Sequence, residues 1–294
     1  VIYKSFPLRH RLISFIRDID IKGFRKLSIL LPKWLLSDPK KTASYILKTN
    51  HDFLLRINPS EDAGVELSLH ETGTYEKGIL SFLQDNLKKG DCFVDVGANI
   101  GLMSIFASNC VGNEGQVLAY EAHPKTAELL KENIELNQLM NIQVCQYALG
   151  SEEGQTKIYD NWQINRGGAS LIVKTNDSVA FDIEIHQLDN NILSNLIPKV
   201  IKIDVEGFEL EVLKGASETI KKYQPILIVE FSEMRENLHD SGAQLVEIIK
   251  SFGNYRFYKL KGGKERKSRL VEIKSNDELP EHDNVICISE IRNS

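Results

Sequence analysis

Two short stretches place carboxylates and glycines where a nucleotide could be held. In Cys92-Phe93-Val94-Asp95-Val96-Gly97-Ala98-Asn99-Ile100-Gly101 an apolar strand ends in an acid and enters a glycine turn, and Leu102 to Ser108 continues at helical spacing. A dinucleotide loop, G-x-G-x-x-G, needs its second glycine where a pyrophosphate lies against the backbone. Asn99 stands at that place here, the third glycine is missing, and Asp95 would set a negative charge beside the phosphates. The same carboxylate suits a ligand that carries an ammonium and a sulfonium. The next apolar strand, Gln116 to Tyr120, runs into Glu121, at about the twenty-residue offset at which an acid meets ribose hydroxyls. Asp95, Gly97, Asn99, Gly101 and Glu121 therefore form a candidate cofactor loop, and S-adenosylmethionine is a ligand whose charges they fit.

A second block, Val200-Ile201-Lys202-Ile203-Asp204-Val205-Glu206-Gly207, is an apolar strand that releases two acids at its carboxyl end. In open parallel sheets ligands bind beyond those ends, near the point where strand order reverses, which puts Asp204 beside the cofactor. The following strand, Pro225 to Glu230, supplies a third acid on the same rim. Asp204, Glu206 and Glu230 are the catalytic candidates. One of them could take the proton of an attacking hydroxyl, or Asp204 and Glu230 could ligate Mg²⁺ or another divalent cation through oxygen. Neither the Asn/Asp-Pro-Pro-aromatic tetrad of amide and adenine methylation, the Pro-Cys pair of cytosine C5 chemistry nor a phosphate-binding G-x-x-x-x-G-K-S/T loop occurs. His123 reads as a satisfied loop residue rather than a ligand.

The ordered blocks DVGANIG, AYEAHP, ENIELNQLMNIQV with ALG, GGASL, IKIDVEGFELEVLKGA and QPILIVE resemble the FkbM-type methyltransferases, a branch of the class I S-adenosylmethionine-dependent enzymes. The resemblance runs from about Gly73 to Phe231. It implies O-methylation of a hydroxyl on a sugar, glycan or small natural product, while the acceptor itself does not transfer within such a family. It extends the expected cofactor wall to Tyr75, Glu76, Ala122 and Ala148, and it turns attention to Arg166, Gly167 and Gly168 as residues that would meet the acceptor.

These residues need an α/β scaffold to position them. Strands at 92 to 96, 116 to 121 and 141 to 146 alternate with helices at 101 to 109 and 124 to 137. A strand at 200 to 203 leads to a helix from Glu209 to Lys222, and then to the strand before Glu230. The expectation is a doubly wound, mostly parallel, seven-stranded Rossmann-like methyltransferase sheet over 73–294, with an inserted hairpin and loop at about 155–188. Before it, Asp52 to Ile57 and Val65 to Leu69 read as two short strands around a turn-rich stretch, and Lys77 to Leu87 as a helix.

Residues 1–72 form the expected appendage, helical and then extended. Its first fifty residues carry eleven Lys or Arg against three Asp, a net +8 in a chain of net −5. Apolar residues such as Leu8, Leu12, Phe15 and Ile16 interleave with these charges. That pattern fits a helical cap on the catalytic domain or on a twin subunit, and also a contact with an anionic membrane or other polyanion. RNA methylation and a cofactor fold without catalysis are the alternative functions, but the acidic remainder and the lack of an aromatic-basic module disfavour nucleic acid. Scattered cysteines without C-x-x-C spacing read as reduced core residues and point to a cytoplasmic setting, peripheral at a membrane if the basic face is used. The first residue is Val1, so a segment could precede it.

Overall fold

The computed structural model describes residues 2–18, 32, 35–159, 179–192, 195–232 and 242–293. Helix α1 (Pro7–Asp18) precedes the two-stranded hairpin of β1 (Tyr45–Lys48) and β2 (Leu54–Ile57). Two helices follow, α2 (Val65–Thr72) and α3 (Lys77–Asn86). The sheet then begins as β3 (Cys92–Val96), α4 (Leu102–Val111), β4 (Gln116–Tyr120), α5 (Pro124–Leu136) and β5 (Ile142–Cys145). A small three-stranded sheet is built from β6 (Ala148–Leu149), β7 (Gly154–Tyr159) and β8 (Ala180–His186), followed by α6 (Leu188–Asn191). The chain returns to the main sheet through β9 (Pro198–Ile203), α7 (Glu209–Gly215), α8 (Ser217–Tyr223), β10 (Ile226–Ser232), α9 (Gly242–Ser251), β11 (Tyr255–Leu260), β12 (Leu270–Ile273) and β13 (His282–Ser289).

The main sheet has the order β12-β11-β13-β10-β9-β3-β4-β5. Neighbours from β5 to β10 pair in parallel, and β13, β11 and β12 join by antiparallel pairs. This is the expected doubly wound, mostly parallel sheet, with β12 as an eighth strand at the edge. Strand order reverses between β3 and β9, so a crevice opens beyond their carboxyl ends.

Alternation along buried strands divides the core into two layers. Phe93, Val117, Ala119, Val200 and Ile228 pack on one face with α3, α4 and residues of the β1–β2 hairpin. Val94, Val96, Leu118, Ile201, Ile203 and Val229 pack on the other with α7, α8 and α9. The first layer is continuous across residue 72, since Leu47, Leu55, Ile57 and Leu69 share it with Phe93. Asn133 of α5 and Asn137, which caps its end, explain how the hairpin is fixed. Asn133 Oδ1 accepts the Arg56 N–H at 2.6 Å while its Nδ2 donates to the Ile100 carbonyl at 2.9 Å, and Asn137 bonds both backbone groups of Leu54.

Two expected elements differ. Val65 to Leu69 is helix, not strand: Asp62 accepts the Gly64 and Glu66 N–H groups at the start of α2, and Gly73 closes it in the left-handed region. The strand that pairs with β2 is instead β1. The single helix expected from Glu209 to Lys222 is broken at Ala216, where Asp189 accepts the Glu218 and Thr219 N–H groups at 2.9 and 2.8 Å and so caps α8. The inserted hairpin is present as the antiparallel pair β7 and β8, while the loop that carries Arg166, Gly167 and Gly168 lies outside the described residues.

Candidate active site

The turn after β3 is built by close approach of two loops. Gly97 has φ +83°, and a Cβ there would lie 1.9 Å from the Asp204 carbonyl oxygen. The N–H groups of Gly97 and Ala98 both donate to the Tyr120 carbonyl at 2.9 Å, and the Asp204 N–H donates to Val96 at 3.0 Å. The ends of β3, β4 and β9 are thereby locked together around a cavity of about 220 Å³.

Asp95, Gly97, Asn99, Glu121 and Ala122 line this cavity from the β3 and β4 side, Ala148 from β6, and Tyr75 and Glu76 from the residues before α3. Asp204, Glu206 and Glu230 line it from the ends of β9 and β10. Gly101 is the exception among the expected cofactor residues. It initiates α4 at φ +94° and faces Leu130, whose Cδ1 would sit 2.5 Å from an added Cβ, so this glycine serves helix packing. His123 is buried beside Phe181 outside the cavity wall, as its loop reading anticipated.

Glu121 accepts the Asn99 and His123 N–H groups, each at 2.9 Å. Asn99 reaches it by adopting the left-handed region at φ +49°. Burial pushes the Glu121 carboxyl up to about 7, with the two N–H donors opposing the rise. Each carboxylate oxygen still has a lone pair to offer. Asp95 Oδ2 accepts the Ser104 hydroxyl at 2.5 Å, while its Oδ1 is buried without a hydrogen-bond partner. Burial raises the Asp95 pKa against the pull of Lys202 and Ser104.

The most heavily charged wall contains two lysines that the motif reading passed over. Lys202 Nζ lies 2.7 Å from Asp204 Oδ2, and Lys264 Nζ lies 2.7 Å from Glu230 Oε1 and 3.1 Å from Glu76 Oε1. Asp204 and Glu230 also act on each other's titration across this wall. Burial, and then the Asp204 charge, push Glu230 up to about 8. Burial works the other way on Asp204 from its two lysines, whose charges win and hold its carboxyl well below the usual range. The two carboxyls are thus pushed apart, Asp204 towards its ionised form and Glu230 towards its protonated form. Glu76 is left-handed at φ +45°, receives Asn284 Nδ2 at 3.3 Å on Oε1, and keeps Oε2 buried without a partner. A non-glycine residue held in that region beside a cavity stores strain that the surrounding contacts must offset.

The two residues read as possible cation ligands are paired with lysines, Asp204 through Oδ2 with Lys202 and Glu230 through Oε1 with Lys264. Among the described residues no three His, Cys, Asp or Glu side chains are grouped as metal ligands. In the turn after β9, Glu209 Oε1 accepts the Val205 and Gly207 N–H groups, both at 3.1 Å. Glu209, not Glu206, therefore holds this turn, and Glu206 stands at φ +57° in the cavity wall. Lys202 had a readable signal, since a lysine inside an apolar strand must find a partner. Lys264 had none, because it comes from the β11–β12 connection and reaches the site only through the sheet's antiparallel end.

The Methyltransferase FkbM domain matches residues 95–257, more than half of the chain. Methyltransferase sdnD of Sordaria araneosa is 28% identical over 165 residues, covering 45% of this chain and 63% of that protein. Hexuronic acid methyltransferase AglP of Haloferax volcanii is 28% identical over 155 residues, covering 52% and 61%. Methyltransferase 1 of Beauveria bassiana is 27% identical over 195 residues, covering 58% and 75%. The chain thus spans somewhat under two thirds of the length of the first two relatives. With a family domain that begins at the acid ending β3 and extends through β9, β10 and into β11, this chain belongs to the FkbM methyltransferase family.

Proposed function

We propose that the chain is an S-adenosylmethionine-dependent methyltransferase acting on a hydroxyl of a sugar, a glycan or a small natural product. The observation that carries this reading is the pair of buried, unpartnered carboxylate oxygens in the cavity wall, Asp95 Oδ1 and Glu76 Oε2. Acceptors left without donors in a desolvated wall ask for a ligand that brings its own, and the cofactor's ammonium would do so. Glu121 would accept the two ribose hydroxyls with the lone pairs its backbone contacts leave over. The hexuronic acid methyltransferase among the relatives favours a sugar acid as acceptor.

S-adenosylmethionine, when bound, supplies a methyl group on a positively charged sulfur. The residues of this chain would hold the acceptor oxygen in line with it, near about 3 Å, an orientation effect worth roughly 7–11 kcal/mol. An alcohol must lose its proton as the new bond forms. The Asp204–Glu230 pair would take that proton, with Lys202 and Lys264 beside its two carboxyls. Glu206 stands on the same rim as a second candidate acceptor.

The test is transfer of labelled methyl from S-adenosylmethionine to uronic acid, neutral sugar and phenolic acceptors, alongside calorimetry with the cofactor. Micromolar cofactor binding with transfer to a sugar hydroxyl is the expected result. Binding of NAD in place of S-adenosylmethionine would overturn the cofactor, and transfer only to nitrogen or carbon would overturn the acceptor class.

A further inference from the structure

Helix α1 has two apolar faces, and the fold uses one. Its inner face packs on the fold: Ile13 is fully buried, His10 Nε2 lies 3.1 Å from the His70 carbonyl, and Arg17 turns inward to an ion pair with Glu71. On the other side Leu8, Leu12 and Phe15 succeed one another at intervals of four and three residues and so form one stripe along the helix. Leu8 is 81% exposed, Leu12 45% and Phe15 64%. Ile2 and Tyr3, just before the helix, are exposed as well.

The stripe has a cationic border. Arg9 and Arg11 follow Leu8 by one and three positions, which places them on opposite flanks of the Leu8–Leu12–Phe15 line at 100° per residue. Both are exposed, and so is Lys4. No acidic residue occurs from Ile2 to Arg17. An apolar stripe with arginines on both sides matches the boundary of an anionic bilayer: the apolar side chains enter the acyl region and the guanidiniums reach the phosphates beside them.

The charge pattern selects among occupants. A second copy meeting this face about a twofold axis would bring two arginine-bordered faces of like charge together with no acid between them, so the border disfavours a self-contact. A soluble polyanion would satisfy the arginines and leave Leu8, Leu12 and Phe15 in water. We propose that the outer face of α1 docks the protein on an anionic lipid surface, lying in the interface rather than crossing it. Among the described residues no helix is long and apolar enough to span a membrane.

Sedimentation of the whole chain with vesicles tests this. Vesicles of phosphatidylcholine with about one quarter phosphatidylglycerol should bind it at about 0.1 M salt, pure phosphatidylcholine should bind it far less, and high salt should release it. Leu8→Ser/Leu12→Ser/Phe15→Ser should abolish the binding, and Arg9→Gln/Arg11→Gln should weaken it roughly thirtyfold. All five side chains are exposed, so cofactor binding by these variants should equal that of the parent and report that they fold. The proposal is overturned if the parent ignores anionic vesicles, or if the triple variant binds them equally well. It is also overturned if sedimentation equilibrium shows a lipid-free dimer that the triple variant dissociates, since a second copy would then cover the face.

Discussion

Replacing Lys202 by methionine removes one ammonium from a strand interior while nearly preserving volume. Lys202 is 3% exposed, its Nζ is 2.7 Å from Asp204 Oδ2, and the charges of Asp95 and Glu76 also act on it. The methionine packs where the lysine stem packed, so the cost is that of leaving Asp204 charged and unpaired. Breaking a buried pair from one side costs about 3–5 kcal/mol, which lowers the melting temperature by roughly 6–20 °C in a chain of this size. The loss depends on pH in a defined direction. The depressed Asp204 pKa contributes stability above the ordinary carboxylate value and loses it as pH falls through the folded value. The raised Lys202 pKa contributes stability below the ordinary lysine value and loses it only in strong alkali. Both contributions are complete at neutral pH, so the gap between parent and variant should be widest there and narrow below about pH 4. Adding Asp204→Asn should recover about 1–3 kcal/mol, because the orphaned charge goes with it. Urea unfolding at several pH values measures all of this. A single variant that loses less than about 1 kcal/mol, or a double variant no more stable than the single, would refute the claim that this ion pair is coupled.

Three further outcomes are expected. Glu121→Ala should weaken S-adenosylmethionine binding by roughly 1.5–3 kcal/mol in calorimetry, because the ribose acceptor and the anchor of the Asn99 and His123 N–H groups go together; an unchanged dissociation constant would remove Glu121 from the site. Gly97→Ala should destabilise the fold by more than about 2 kcal/mol, since its Cβ would meet the Asp204 carbonyl in a left-handed turn, and thermal melts that match the parent would contradict the interlocked loops. Glu230, raised to about 8, contributes stability that is complete below the ordinary glutamate value and is lost as pH rises through about 8. Glu230→Gln should therefore flatten the fall in melting temperature over that window, and parallel curves would argue against the raised carboxyl.

What could be read from the sequence was local. The strand, turn and helix around Asp95 and Gly97 lie within one short stretch, and Glu121 follows at a spacing set by one helix and one strand. Their placement in a common cavity needed no knowledge of distant chain. Gly101 was read as part of the same loop although it faces Leu130, because a glycine that serves packing and one that serves a ligand look alike in sequence. Val65 to Leu69 alternates over too few residues to separate strand from helix, and Asp62, the residue that decides it, looks like any turn residue. Lys202 was visible as a charge in an apolar run but was passed over in favour of the acids beside it. Lys264 was out of reach: its partners Glu76 and Glu230 meet it only after β13 has inserted between β10 and β11.

That insertion has a consequence for the order of synthesis. The cavity's wall is closed by contacts between residues made at very different times: the Glu76 N–H bonds Glu265 across 189 positions, Asn284 bonds Glu76 across 208, and Arg266 bonds the Arg17 carbonyl across 249. When β10 has left the ribosome, every parallel strand up to that point exists, and so do Glu76, Asp204 and Glu230, but Lys264 does not. Carboxylates crowded together without that counter-charge take up protons instead. A growing chain therefore carries its cofactor strands well before its working charge state. Contacts of such long range form slowly, so maturation of the site waits on the β11–β12 connection rather than on the glycine turn by which the cavity is recognised.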